Sequence, residues 1–113
     1  MQFTCEVRLV KPSFLLARLR GVLDAGTSIE LEMSLSSYLR DPSIKKIVLD
    51  VPDLTFISSS GLRVMMVIIK SLTPRNGRLY LVGATAQIIG LVKMSGMTKW
   101  INVRNSVEEC ESD

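Results

Sequence analysis

Apolar and polar side chains alternate through Phe3, Cys5, Val7 and Leu9, so Phe3 to Val10 is predicted to be a half-buried strand. Lys11-Pro12-Ser13 interrupts it, and Phe14 to Leu19 resumes an extended apolar pattern. The two segments predict an antiparallel hairpin at one edge of a sheet. Turn residues fill Gly21 to Thr27. Leu31, Met33, Leu35, Tyr38 and Leu39 then recur among helix formers, predicting a helix from about Thr27 to Leu39 with Asp24 or Thr27 as its cap. Asp41-Pro42 ends it, because proline pushes its predecessor out of helical geometry. The β-branched run Ile44 to Val51 reads as a central strand, Pro52-Asp53 as a turn, and Leu54 to Ile57 as a short extended piece.

A helix is predicted from Ser60 to Ser71, and its unbroken apolar stretch Val64 to Ile69 requires packing around most of its circumference. Thr73-Pro74-Arg75-Asn76-Gly77 stops it. A strand over Arg78 to Val82, a helix over Thr85 to Met94 closed by Ser95-Gly96, a strand near Trp100 to Val103 and an acidic helical turn from Ser106 to Glu111 complete the chain. Strand and helix alternate in the second half, which demands mostly parallel pairing, right-handed crossovers and helices over at least one sheet face. With no internal repeat, linker or low-complexity tract, the expectation is one α/β domain spanning residues 1–113.

Composition narrows the function classes. A chain of 113 residues with 47% hydrophobic content can bury roughly two thirds of its unfolded surface without metals or disulfides. The net charge of +3 is scattered among acidic residues, which argues against nucleic-acid binding. Cys5 and Cys110 form no C-x-x-C pair, and the apolar runs fall far short of a membrane span, so a cytosolic protein with neither metal nor cofactor is expected. The complete absence of histidine excludes a Ser-His-Asp triad and imidazole proton transfer.

Candidate chemistry centres on Ser58-Ser59-Ser60-Gly61, where an extended segment meets a buried helix. A serine there has a structural reading as a helix cap, because the first helical amides lack partners and the dipole is positive. The same amides also favour a phosphoryl group, which would bring roughly −1.5 to −2 charges to the rim of an apolar helix. Other patterns are weaker. Ser43-Ile44-Lys45-Lys46 matches S-x-x-K but precedes a buried strand and has no companion motif. Asp24, Asp50 and Asp53 fall at segment ends, where aspartate commonly caps helices and stabilises turns. No G-x-G-x-x-G, Walker loop or H-E-x-x-H occurs. Met94 to Trp100 combines methionines with the single tryptophan, which suits either helix termination and core packing or an interface.

Four signals in order resemble the STAS domain family, in particular its anti-sigma factor antagonists. Leu19-Arg20-Gly21-Val22-Leu23-Asp24 is similar to the family's glycine-x-leucine-aspartate turn, and Ile47-Val48-Leu49-Asp50 to its central strand. Asp53 to Leu62 resembles its switch loop and helix start, and Met94-Ser95-Gly96-Met97 its helix-ending methionine-serine-glycine-leucine. The resemblance implies a mixed sheet of about four to five strands with helices mainly on one face, and regulation by partner switching rather than catalysis. It implies a partner that is an anti-sigma factor with serine kinase activity, and a serine phosphatase that resets the modified form. Carried over by position, the phosphoryl acceptor is Ser59, with Ser58 and Ser60 as alternatives, since Ser58 replaces the family's aspartate. The partner-binding surface is expected to comprise Asp24, Ser58, Ser59, Ser60, Gly61, Leu62 and Met65. The replacement at position 58 also keeps open a non-phosphorylated scaffold subunit of a transporter or stressosome-like complex.

Overall fold

The chain begins with a hairpin whose second strand feeds the middle of the sheet. In the computed structural model, which describes residues 2–113, β1 (Thr4–Lys11) pairs antiparallel with β2 (Phe14–Leu23). The helix α1 (Ala25–Leu39) leads to β3 (Lys46–Ile57), and α2 (Ser59–Leu72) leads to β4 (Arg78–Val82). Next come α3 (Ala86–Met94), β5 (Ile101–Arg104) and a short α4 (Val107–Glu111). The strands lie in the order β1-β2-β3-β4-β5, parallel from β2 onward. This is the mixed five-stranded α/β sheet that the strand and helix alternation predicts.

Two strands outrun their predicted ends. β2 continues to Leu23 because Gly21, at a φ of +96°, bends the strand without breaking it. A side chain at Gly21 would meet the Phe3 backbone at 3.0 Å. The turn expected at Pro52-Asp53 is absent, and β3 runs through it. Proline is tolerated there because pairing to β4 stops at Asp50 and the register to β2 slips between Arg18 and Arg20, so no ladder bond needs its missing N–H.

Strand alternation divides the interior in two. Leu15, Ala17, Leu19, Ile47, Leu49, Leu79 and Leu81 face a large core closed by α1, α2 and α3. Phe14, Leu16, Val48, Tyr80 and Val82 face the other way, where Cys110 of α4 completes a small cluster with Val107 packed against it. The anchoring of the two sides is unequal. α2 buries Val64, Met65, Ile68, Ile69 and Leu72, and at about 1.5–3 kcal/mol per side chain this is a gross stabilisation of roughly 10 kcal/mol. α4 fully buries one cysteine.

Candidate functional site

Two helices start side by side at one end of the sheet. β2 ends at Leu23 and β3 at Ile57, both nearly inaccessible, and the next residue of each strand caps the following helix. Asp24 caps α1 by accepting a 2.9 Å bond from the Thr27 amide, while the Thr27 hydroxyl accepts from the Asp24 amide and donates to the Val22 carbonyl. Of the two caps the sequence allows, Asp24 is therefore the one used, and Thr27 closes the box. Bonds from the Thr27 amide and hydroxyl hold the exposed Asp24 carboxyl below its ordinary range.

Ser58 caps α2, its hydroxyl accepting from the Gly61 amide at 3.2 Å. Its own amide donates to the Leu23 carbonyl at 2.8 Å, which pins the helix start to the end of β2. The helix begins at Ser59, one residue before its predicted start. Ser59 occupies the first helical position and is exposed, whereas Ser58 and Ser60 are half-buried. The first turn holds no acidic residue, so the Ser59 and Ser60 amides and the positive end of the helix dipole lack a negative counterpart within α2.

The closeness of this turn to the sheet depends on Gly61. A Cβ there would lie 2.8 Å from both Ile57 Cγ2 and Leu23 Cδ2. Of the expected partner-contact residues, Asp24, Ser58, Ser59, Ser60 and Leu62 reach the surface, while Gly61 and Met65 are buried and shape it from below. Val22 and Phe56, opposite each other across β2 and β3, add apolar surface at 37% and 42% exposure. Val22 continues the outward set of Arg18 and Arg20 in β2, while in β3 the register shift leaves Thr55 as an extra residue and sets both it and Phe56 outward. Arg63, one helical turn beyond Ser59, pairs with Glu32 of α1 at 3.2 Å.

The remaining motifs disperse. Asp50 bonds Arg18 at 3.0 Å, Asp53 lies 3.7 Å from Arg20, and Asp24 is held by Thr27, so the three aspartates serve separate structural partners. The Ser43 hydroxyl bonds Asp41, and Lys46 reaches the main chain of α4, which leaves the S-x-x-K pattern without a shared site. In the Met94–Trp100 segment Met97 enters the core, while Trp100 borders a shallow apolar groove of about 530 Å³ with Met66, Ile69 and Pro74. Among the described residues no group of His, Cys, Asp or Glu is arranged to hold a metal ion, and no helix is long and apolar enough to cross a membrane.

With this geometry in place, comparison with known proteins decides the family. The STAS domain model matches residues 7–110. The chain is a STAS domain protein. Within that family it is 33% identical over 94 residues to BtrV of Bordetella bronchiseptica, named for an inferred role as an anti-sigma factor antagonist, covering 83% of this chain and 80% of that protein. It is 30% identical over 101 residues to the anti-sigma F factor antagonist of Paenibacillus polymyxa, covering 86% of each. These relatives place the STAS chain with the anti-sigma factor antagonists, which are regulators. The anti-sigma factor antagonist SpoIIAA has the same fold. Its unphosphorylated form superposes with a TM-score of 0.84 at 19% identity, covering 96% of this chain and 95% of that one. Its phosphorylated form, from Bacillus, superposes at 0.78 and 19% identity, covering 96% and 98%.

Proposed function

We propose that this protein is a cytosolic phosphoswitch that binds an anti-sigma factor through the α2 start and the neighbouring Asp24 turn, and that phosphorylation of Ser59 reverses the binding. The observation that carries this reading is the exposed Ser59 at the first position of a helix with no acidic residue in its first turn, with half-buried Leu62 on the same first turn and Val22 and Phe56 exposed at the ends of the neighbouring strands. SpoIIAA, a protein of the same fold, exists in unphosphorylated and phosphorylated forms. Among the three serines, Ser58 commits its hydroxyl to the cap and Ser60 is half-buried. Both facts favour Ser59.

In this reading the anti-sigma factor is also a serine kinase. The Ser59 oxygen attacks the γ-phosphorus of ATP, the P–O bond to ADP breaks, and the hydroxyl proton leaves to a base of the kinase. A dianion at the first helical position is compatible with the fold, because the open amides and the dipole both attract it. Its effect therefore falls on the partner. A charge-bearing group of about three acceptor oxygens projects from a surface whose unmodified form offers apolar contacts, and docking against it would strand the charge without compensation. Hydrolysis by a serine phosphatase restores the hydroxyl and the docking surface.

The test is mass analysis after incubation with the cognate anti-sigma kinase and ATP, which is expected to place one phosphate on Ser59. Absence of phosphate on residues 58–60, with stable binding to a transporter or a multiprotein assembly, would favour the scaffold reading that Ser58 motivates. Ser59→Glu is expected to weaken anti-sigma factor binding by about tenfold or more, equivalent to about 1.4 kcal/mol, while Ser59→Ala binds normally. Equal affinities in a titration would contradict the switch.

A further inference from the structure

The sheet face opposite α1, α2 and α3 is closed by a segment with unusual attachments. Residues 106–113 carry four carboxylates, Glu108, Glu109, Glu111 and Asp113. Beneath and beside them lie cations. Arg8 and Arg18 line one groove together with Glu108 and Glu111. Lys46 crosses the Phe14 and Tyr80 rings at 5.8 and 5.9 Å and donates to main-chain oxygens of Cys110 at 2.7 Å and Asp113 at 2.8 Å. The Asp113 carboxylate accepts from Arg104 at 2.7 Å and from the Tyr80 hydroxyl at 3.0 Å, with Arg78 at 3.9 Å. Those bonds from Tyr80 and Arg104 hold its carboxyl below the ordinary range.

We propose that residues 106–113 form a releasable acidic strap, held by the charged contacts of Lys46 and Asp113, whose departure uncovers a basic and aromatic surface on the second face of the sheet. Three features support release as a separate event. A five-residue helix has no stability of its own in water. Its apolar hold is limited to buried Cys110 and half-buried Val107. Every remaining tie from the sheet to the segment converges on Lys46, Tyr80, Arg78 and Arg104, and three of these four bear a full positive charge. An attachment of that kind opens when its charges are screened or removed, while the large core behind the sheet stays closed.

The surface left behind would present Phe14, Leu16, Tyr80 and the cations Lys46, Arg78 and Arg104. An acidic cover already fits it, so the strap acts as an internal competitor for an acidic segment of another protein. This face is distinct from the Ser59 end, and the inference stands whether or not Ser59 is modified.

The two cysteines supply the readout. Cys110 is fully covered by the strap arrangement, and Cys5 lies half-buried in β1 on the side of the large core. Burial pushes both thiols upward in pKa, and only Cys110, with no exposed surface in the closed fold, must wait for an opening to react. Full-length protein is treated with N-ethylmaleimide and the two sites are quantified separately by mass spectrometry. Raising NaCl from about 0.05 M to about 1 M is expected to speed Cys110 modification about tenfold relative to Cys5. Asp113→Lys and Lys46→Met are expected to give a similar or larger gain at low salt, because each removes charge-assisted hydrogen bonds. Cys110 and Cys5 accelerating in parallel would show that the effect of salt is not confined to the strap and would overturn the proposal. So would a Cys110 rate indifferent to salt in the unsubstituted chain, a measurement that requires no variant to fold.

Discussion

The starts of α1 and α2 are built to one plan and completed with different chemistry. Asp24-Ala25-Gly26-Thr27 and Ser58-Ser59-Ser60-Gly61 each place a cap, two helical residues and a third whose amide returns to the cap side chain. In α1 the cap is a carboxylate and the third residue, threonine, answers it with a hydroxyl, so the end is neutralised from within. In α2 the cap is uncharged and the third residue is glycine, which brings the helix against Leu23 and Ile57 but offers no returning side chain. Neighbouring helix ends with the same geometry thus differ in whether they still attract an anion. The first is closed; the second is open and carries an exposed hydroxyl.

Substitutions at the paired positions sharpen this contrast. Gly61→Ala is expected to cost about 1–3 kcal/mol in denaturant unfolding, because its Cβ must displace Ile57 and Leu23 in a packed site. The matching change in α1, Gly26→Ala, is expected to stabilise by about 0.5–1 kcal/mol, since a Cβ there meets only Asp24 Oδ1 at 3.7 Å and helix propensity decides the sign. Equal effects at the two glycines would break the claim that α2 alone is pressed onto the strand ends. Next in size, Ser58→Ala removes the cap of α2 and is expected to cost about 1 kcal/mol, with Ser58→Asp restoring stability in the same unfolding assay.

The smallest effect is one of pH. Asp24 has a lowered carboxyl pKa in the fold, so its contribution is complete above the ordinary value of 3.8 and is lost as pH falls through the folded value. Asp24→Asn keeps a capping oxygen and should leave the melting temperature near neutrality almost unchanged. It should flatten the decline of melting temperature in acid relative to the parent protein. An unchanged acid limb would show that the α1 box contributes no charge-dependent stability.

Much of the fold is legible in the amino-acid order because local chemistry decides it. Caps depend on a few adjacent residues, so Asp24 and the serine run fall at helix starts, and period-two alternation marks β1 within a residue of each end. What escapes is set by distant pairing. Pro52 reads as a break until β4 is seen to end before it, and Gly21 reads as a turn until its bend is seen to sit inside a strand. The surface at the α2 start is legible in its serines and in Leu62. Phe56 is not, because a register slip between β2 and β3 makes Thr55 an extra residue and brings Phe56 out against β3's own alternation.

The margins of the sheet bear on how the molecule meets others. β1 is interrupted by an irregularity between Leu9 and Lys11 and displays Glu6, Arg8 and Lys11 to solvent, and β5 is only four residues long. Charged, bent or brief outer strands are poor templates for an incoming chain. Lateral addition of strands, whether from a second copy or from an aggregating neighbour, is therefore resisted on both flanks, and association is directed to helix ends and broad faces.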